Sequence, residues 1–155
     1  MLLLDGTGRL LLFRMADAPG LPAVWMTPGG GVRRREEPHA AAVRELYEET
    51  GLRIAEGTRL PYVAWTAGHA ELPWAGGWFE DHFFLHSLPP DAVHAVDTSR
   101  MEDRERGNTL GHRWWPVAEL EGTAERVIPF GLPGLLRELR AGRTPAEPVR
   151  LPWHH

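Results

Sequence analysis

The sequence predicts an α+β sandwich, because strand-like runs are flanked by two well-separated helical segments. One helix is predicted over Pro38–Thr50 and the other over Leu132–Arg140. The 155 residues contain no internal repeat and have the length of one domain, and an apolar share of 43% is enough for a core. We therefore predict a single domain over residues 1–142, followed by a proline-rich tail over residues 143–155 that runs extended over the surface.

Apolar runs separated by turn residues predict the strands. Leu2–Leu4 and Arg9–Phe13 flank the turn-forming tetrad Asp5-Gly6-Thr7-Gly8 and predict a hairpin. Two longer strands are predicted at Leu60–Thr66 and Trp78–Leu88. The remaining predictions follow the same cues: loops at Ala16–Pro22 and Ser99–Leu110, a turn at Pro73–Gly77, strands at Ala92–Val96 and Gly111–Val117, and a short helix at Pro116–Leu120.

Pro38 and Gly51 mark the two ends of the first helix. Proline suits the first helical position, where its missing N–H group is no loss, and glycine suits the left-handed residue just past the last turn. Strong helix formers lie between them. Apolar and small side chains recur at spacings of three and four and predict a buried face, formed by Ala42, Val43, Leu46 and Thr50.

Three glutamates, Glu45, Glu48 and Glu49, are predicted to share the opposite side of this helix. Carboxylates three or four residues apart repel by roughly 0.2–0.5 kcal/mol per pair, and negative charge in the last helical turn costs roughly 0.3–1 kcal/mol. A bound divalent cation would reverse these penalties, and oxygen ligands favour Mg²⁺ or Mn²⁺ over zinc. For an isolated pair of glutamates, a solvated acidic face is the alternative interpretation.

The spacing of these residues resembles the signature of the Nudix (MutT-like) hydrolases, G-x5-E-x7-R-E-U-x-E-E-x-G-U with U aliphatic. The matching positions are Gly30, Glu36, Arg44, Glu45, Leu46, Glu48, Glu49, Gly51 and Leu52. The preceding Trp25-Met26-Thr27-Pro28-Gly29 also resembles the usual approach to this motif. One departure lies at Arg35, where many members have glycine just before the glutamate. The resemblance implies an α/β/α sandwich with a mixed β-sheet between helices.

The same resemblance implies hydrolysis of the pyrophosphate linkage in a nucleoside diphosphate derivative, with Mg²⁺ as the cofactor and Mn²⁺ as a substitute. Carried over by position, Glu48 and Glu49 are the principal metal ligands, helped by the Gly30 carbonyl. Glu45 is a further ligand or the base that takes a proton from the attacking water. A divalent ion screens the charge of the diphosphate and lowers the pKa of bound water.

Supporting roles follow for other residues of the motif. Arg44 is expected to orient Glu48, with a substrate clamp as the alternative. Glu36 is expected to brace the loop, with metal binding as the alternative, and Gly51 to end the helix.

Some family members take the catalytic base from a later loop, and Glu105 is our candidate for that role. It precedes the predicted strand at Gly111–Val117 by a short segment that could fold over the motif. An ordinary solvated charge run is the alternative. Glu80 and Asp81 are a weaker option, because one of them should point inward from its strand.

Two residues are candidates for substrate contacts. Arg34, within Arg33-Arg34-Arg35, could bind phosphates, although an exposed basic run without a role is the alternative. Trp25 could stack a purine, although a tryptophan in the core is the commoner case.

Composition restricts the partners. A net charge of −4 argues against a nucleic-acid polymer and leaves a small nucleotide as the expected substrate. The absence of cysteine excludes disulfides and thiolate metal sites. Asp5 ends the first apolar run too early for a signal peptide or membrane span, so a cytoplasmic protein without membrane contact is expected. Homodimers are frequent in the family and remain an option here.

A catalytically silent Nudix-fold sensor that binds a nucleotide is the alternative function. The intact set of Glu45, Glu48 and Glu49 favours the enzyme, because a degenerate member would be expected to lose these residues. Markers of the ADP-ribose and dinucleoside-polyphosphate subtypes are absent from Ala67–Ala70, so the substrate is not assigned from the sequence.

Overall fold

The computed structural model describes residues 1–17, 21–72 and 75–154, which form eight strands and four helices. The strands are β1 (Leu2–Leu4), β2 (Leu10–Met15), β3 (Val24–Met26), β4 (Tyr62–Leu72), β5 (Ala75–Ser87), β6 (Thr109–Trp115), β7 (Arg126–Ile128) and β8 (Val149–Arg150). The helices are α1 (Pro38–Thr50), α2 (Asp103–Asn108), α3 (Val117–Gly122) and α4 (Leu132–Arg140). None of the helices in these residues is both long and apolar enough to cross a membrane.

The strands form one mixed sheet in the order β7-β3-β2-β1-β5-β4-β8, with β6 paired to β2. The pairs β1–β5, β3–β7 and β4–β8 are parallel, whereas the other pairs are antiparallel. Both faces of the sheet are covered, since alternate residues of β2 enter two different cores. The predicted α+β sandwich with a mixed sheet between helices is therefore confirmed.

The two cores place α1 and α4 on opposite faces of the sheet. Leu10 and Leu12 pack with the leucines of α4, whereas Leu11 and Phe13 pack with Leu46 of α1. Because β2 contributes to both cores, it fixes the sheet against both helices. The loop before α1 and the last turns of α1 therefore lie on one defined side of the molecule.

The long elements agree with the prediction. The bounds of α1 and α4 and the hairpin of β1 and β2 are confirmed. Strands β4 and β5 are longer than predicted and pair along almost their whole length. Pro73 and Trp74 of the predicted turn lie outside the described residues, and Gly76 and Gly77 belong to β5. Residues 18–20 of the predicted loop at Ala16–Pro22 also lie outside the described residues.

Two predictions between β5 and β6 are wrong. Ala92–Val96 is not a strand, because its backbone is irregular and belongs to none of the strand pairs of the sheet. The Ala92 carbonyl accepts instead from the Gly6 N–H at 2.7 Å. Ser99–Leu110 is not simply a loop, because it contains α2 and the start of β6. The charges of α2 suit a helix, with Asp103 in the first turn and Arg106 in the last.

The tail does not run over the surface as predicted. Its strand β8 pairs in parallel with β4, and Leu151 and His154 are buried. The Thr66 hydroxyl donates to the carbonyl oxygens of Leu151 and Pro152, at 3.2 and 3.1 Å. The tail therefore closes the core on the α4 side of the sheet.

Candidate metal and catalytic site

Helix α1 begins and ends where its flanking residues dictate. Glu37 precedes it in an extended conformation and Pro38 opens its first turn. Gly51 follows with φ of 72°, and its N–H group donates to the Tyr47 carbonyl at 2.9 Å. The left-handed conformation is accessible to glycine without a steric cost, so the last turn, which carries Glu48 and Glu49, ends at a defined position.

Two of the three glutamates on α1 are buried, which argues against the alternative interpretation of a solvated acidic face. Glu45 is 5% exposed and Glu49 is 7% exposed, whereas Glu48 is half-buried. Ala42, Leu46 and Thr50 are also buried, as predicted, so much of the circumference of the helix is covered. Hydrophobic periodicity did not reveal the burial of Glu45 and Glu49, because the loop that covers them is polar and rich in glycine.

The glycine-rich loop touches both buried carboxylates. The Gly29 N–H donates to Glu49 Oε2 at 2.7 Å. At Gly30, a Cβ atom would lie 2.6 Å from Glu45 Oε1, too close for any side chain without displacement of the carboxylate. Gly30 is therefore required for the close approach of this loop to Glu45, independently of any role for its carbonyl oxygen.

Arg44 is the centre of the polar network that holds these groups. Its guanidinium forms two hydrogen bonds with Glu36, at 2.8 and 2.9 Å, and one with the Gly31 carbonyl at 2.9 Å. It also donates to Glu45 Oε1 at 2.6 Å and to Glu48 Oε2 at 2.9 Å. The predicted contact with Glu48 is thus present, and the same side chain joins the loop to the helix.

Glu36 braces the loop as the sequence suggested. Besides Arg44, its carboxylate accepts the Arg33 N–H at 2.8 Å. Hydrogen bonds from Arg44 and Arg33 lower the pKa of Glu36 to about 2. Its lone pairs are engaged by Arg33 and Arg44, so the position favours bracing over metal binding.

Glu45 and Glu49 have pKa values shifted in the opposite direction. Burial raises the pKa of Glu49 to about 8, against the opposing effects of the Gly29 N–H and the Met1 amino group. Burial also raises the pKa of Glu45, which Arg44 opposes. The charge on Glu105 adds to both increases. Adjacent carboxylates resist ionising together, so these residues form a site in which positive charge is deficient.

Glu105 lies in α2 and faces the acids of α1. Its Oε2 atom is buried and has no hydrogen-bond partner among the described residues. Burial, together with repulsion from Glu102 and Glu48, raises the pKa of Glu105. Glu102 and Asp103 are exposed instead. Of the acids that the sequence offered in this segment, Glu105 is therefore the one that joins the cluster.

The weaker candidates for the base have other partners. Glu80 lies 3.4 Å from His82 Nε2, and Asp81 lies 3.4 Å from His154 Nε2. Both belong to β5. Their histidine contacts supply a structural reason for these acids, and neither lies in the Arg44 network.

The acids fit a hard divalent cation by their chemistry. In the present side-chain arrangement, no three acidic or histidine residues of the described chain are grouped closely enough to hold a metal ion. Arg44 occupies oxygen atoms of Glu45 and Glu48, and Gly29 occupies one of Glu49. An all-oxygen donor set, two buried glutamates with raised pKa values and the unpartnered Glu105 oxygen nevertheless match Mg²⁺ or Mn²⁺.

Trp25 does not occupy the position expected of a base-stacking residue. It is 8% exposed, and its ring packs edge-on against Trp115 with a centroid distance of 5.1 Å. Its indole N–H donates to Glu125 Oε2 at 2.7 Å. The core interpretation of Trp25 is therefore correct, and the predicted substrate contact is not supported. Trp78, in contrast, is 69% exposed.

The arginine run makes two contacts that the sequence did not reveal. Arg33 Nη2 lies 3.3 Å from Glu48 Oε1 and 4.0 Å from Glu102 Oε1. Arg34 is exposed, in keeping with either of its two interpretations. Arg33 therefore helps to fix the loop against the acids.

Arg35 has a backbone conformation that normally belongs to glycine. Its φ angle is 69°, and the Glu36 N–H donates to the Arg33 carbonyl at 2.9 Å. A positive φ at the third residue of such a turn is typical of type II turns, which favour glycine there. The departure from the family motif at Arg35 thus carries a steric cost of about 1–2 kcal/mol.

Residues 1–132 match the family model of the NUDIX domain. The chain belongs to the Nudix family. An RNA pyrophosphohydrolase of Roseobacter denitrificans is 31% identical over 146 residues, which cover 84% of this chain and 80% of that protein. The chain is accordingly a Nudix hydrolase.

Some other relatives of this Nudix hydrolase match over a shorter segment. An RNA pyrophosphohydrolase of Rhizobium meliloti is 46% identical over 46 residues, 30% of this chain and 28% of that protein. Diphosphoinositol polyphosphate phosphohydrolase 3-alpha of Mus musculus is 56% identical over 32 residues, 21% of this chain and 20% of that protein. These matches span less than a third of each relative.

Solved structures share the fold. The dihydroneopterin triphosphate pyrophosphohydrolase of E. coli has a TM-score of 0.61 and 16% identity, over 91% of this chain and 93% of that chain. The MutT protein of Methanosarcina mazei has a TM-score of 0.57 and 18% identity, over 93% of this chain and 91% of that chain. At this identity the likeness concerns the fold alone.

Proposed function

We propose that this Nudix hydrolase cleaves the pyrophosphate linkage of a nucleoside diphosphate derivative with Mg²⁺ as its cofactor, for which Mn²⁺ can substitute. The observation that carries the proposal is the burial of Glu45 and Glu49 beside Glu105, in a site short of positive charge. When bound, the cation screens the diphosphate and lowers the pKa of its bound water. Burying these acids without a counter-charge would be costly.

Each residue of the network has a separate task. Glu48 and Glu49, with Glu45 and the Gly30 carbonyl, would hold the cation. Arg44 orients Glu48 and Glu45 through its 2.9 and 2.6 Å hydrogen bonds. Positioning and charge stabilisation account for most of phosphoryl-transfer catalysis, so a rigid donor set is the main requirement.

Glu105 takes the proton of the attacking water in this proposal, and Glu45 is the alternative base. The buried, unpartnered Oε2 of Glu105 is able to accept a proton. The raised pKa of Glu105 lies closer to neutral pH, where general bases work best. Glu105→Gln should lower kcat, with Glu102→Gln, an exposed acid of the same segment, as the matched control. Equal kcat values for the two variants would remove Glu105 from this role and leave Glu45.

A small nucleotide and the 5′ end of an RNA are the two substrate classes to compare. The sequence favours a small nucleotide, because its net charge is −4. The name of the Roseobacter denitrificans relative favours a triphosphorylated RNA. Only the phosphorylated end need enter the site in the second case, so the overall charge does not decide between them.

The test is a screen for phosphate and pyrophosphate release over nucleotides and 5′-triphosphorylated RNA, with Mg²⁺ and with Mn²⁺. Metal-dependent release by the unmodified protein, lost in Glu49→Gln, supports the proposal. A sensor that binds a nucleotide without cleaving it would instead give binding and no product. The cytoplasmic location and the homodimer stay predictions, for cell fractionation and analytical ultracentrifugation to check.

A further inference from the structure

Two exposed arginines lie at the tip of a tight turn just before α1. The Arg33 carbonyl accepts the Glu36 N–H at 2.9 Å, and the Glu36 carboxylate accepts the Arg33 N–H at 2.8 Å. Arg34 and Arg35 are the two central residues of this turn, and both are exposed. The backbone that carries the two guanidinium groups is therefore fixed by hydrogen bonds at both ends.

The turn is also tied to the glutamates of the site. Arg33 Nη2 lies 3.3 Å from Glu48 Oε1. The Glu36 carboxylate accepts two hydrogen bonds from Arg44, and the same guanidinium donates to Glu48 at 2.9 Å. Short polar contacts thus hold the turn beside the proposed pyrophosphate site.

Arg35 keeps its side chain at a position where glycine would fit better. With φ at 69°, a glycine would form the same turn without steric cost. Strained residues of this kind persist where the surrounding structure holds them, and they cluster at sites of function. Glycine at this position could not supply a guanidinium group.

Arg34 and Arg35 also differ from their neighbours in charge pairing. Arg33 and Arg44 have carboxylate partners. Among the residues that the structure describes, no ion pair involves Arg34 or Arg35. Guanidinium groups bind phosphate oxygens in bidentate geometry, so this turn presents two cations that remain available to an anionic ligand.

We propose that Arg34 and Arg35 bind a phosphate group of the substrate that lies outside the pyrophosphate linkage to be cleaved. This inference rests on the proposed function and narrows its substrate class to nucleotides with a third phosphate. That phosphate is the third phosphate of a 5′ triphosphate chain, either on a free nucleotide or at the end of an RNA. Both sources present the same tetrahedral anion.

The first test is equilibrium binding in Mg²⁺ of imidodiphosphate and diimidotriphosphate, inorganic analogues whose P–N–P links resist hydrolysis. We expect Arg34→Ala and Arg35→Gly each to weaken binding of the three-phosphorus analogue by about tenfold and to leave the two-phosphorus analogue within about twofold. Arg143→Ala, which removes an exposed arginine paired with Glu138 after α4, is the matched control. Thermal unfolding of each variant verifies its fold.

Failure to bind either analogue, equal losses on both analogues, or no loss in either variant would overturn the subsite. The result is separable from the proposed function. If the variants selectively lose affinity for the three-phosphorus analogue and yet the unmodified protein cleaves no nucleotide, the enzyme proposal fails alone. If it cleaves nucleotides and the variants show no selectivity, the subsite fails alone.

Steady-state kinetics then identify the source of the phosphate. A higher KM for both a nucleoside triphosphate and a 5′-triphosphorylated dinucleotide, in Arg34→Ala and Arg35→Gly, assigns the phosphate to the 5′ chain. A higher KM for only one of the two substrates assigns it to that source, the free nucleotide or the end of an RNA. An unchanged KM for both substrates contradicts the proposal.

Discussion

At the scale of single residues, chemistry that depends on spacing was visible in the sequence, and chemistry that depends on burial was not. The Arg44–Glu48 contact follows from positions four residues apart, whereas the expected bracing role of Glu36 came from the resemblance to the family motif. Burial of Glu45 and Glu49 comes from a loop of glycines laid over them. Helical periodicity describes only the helix, so it placed these acids opposite the buried face without showing that a loop covers them.

Arg35→Gly tests the strain at the turn before α1. We expect this variant to raise the free energy of unfolding by up to about 1 kcal/mol, because glycine adopts a positive φ without a steric clash. Arg34→Gly is the matched control and should lower stability by about 0.5–1 kcal/mol, because glycine increases the conformational entropy of the unfolded chain and relieves no strain here. Urea unfolding measures both, and equal changes in the two variants would contradict the strain.

Glu49→Gln tests the metal-binding role of the most deeply perturbed acid. We expect turnover to fall by roughly 10²-fold or more, because the amide cannot neutralise a divalent ion. The fold should persist, since the glutamine carbonyl can still accept the Gly29 N–H. Steady-state kinetics with Mg²⁺ measure the loss, with Glu56→Gln, an exposed acid, as the control. Near-native turnover in Glu49→Gln would show that the ligand assignment is wrong.

At the scale of elements, the two long helices were predictable because proline and glycine mark their ends. Pro133 and Gly142 bracket α4 as Pro38 and Gly51 bracket α1. Strands β3, β7 and β8 have three residues or fewer, too short for an alternating pattern to register. Their pairing with β2, β3 and β4 depends on the tertiary structure, so only the three-dimensional structure showed them.

The buried tail gives a prediction at this scale. Leu151→Ala should lower the free energy of unfolding by about 2–4 kcal/mol, because Leu151 is 6% exposed and packs in the α4-side core. Val149→Ala, two residues away and 42% exposed, is the control and should change it by less than about 0.5 kcal/mol. Urea unfolding compares them. Similar small changes would mean that the tail does not close the core.

At the scale of the whole molecule, the net charge is a moderate −4, but negative charge is concentrated at the site formed by the buried glutamates. Glu45, Glu49 and Glu105 have raised pKa values because burial and mutual repulsion oppose their ionisation. Without a cation, the folded protein must either keep protons on these acids or bear the cost of their charges. Metal binding and stability are therefore coupled.

This coupling predicts that the metal-free protein becomes less stable as the pH rises through the range in which Glu49 ionises. Glu49 titrates near 4.5 when unfolded and near 8 when folded, so between these values the folded state binds more protons and stability falls as pH rises. Its contribution is at most about 1.4 kcal/mol per pH unit. The Met1 amino group, with its pKa lowered to about 6, has the opposite slope between pH 6 and 8.

Thermal unfolding in EDTA between pH 5 and 6 measures this effect where the Met1 amine contributes least. We expect the midpoint to fall over this interval in the unmodified protein and to fall less in Glu49→Gln, which cannot ionise. Added Mg²⁺ should raise the midpoint at pH 8 in the unmodified protein and much less in the variant. Parallel pH profiles for the two proteins would contradict the assignment of the slope to Glu49.

The most direct measurement is anomalous diffraction from crystals of the protein grown with Mn²⁺. A divalent ion at this site predicts an anomalous peak within about 2.0–2.4 Å of carboxylate oxygens from Glu48 and Glu49, and no such peak in Glu49→Gln. Saturating Mn²⁺ with no peak among these glutamates in the unmodified protein would contradict the account.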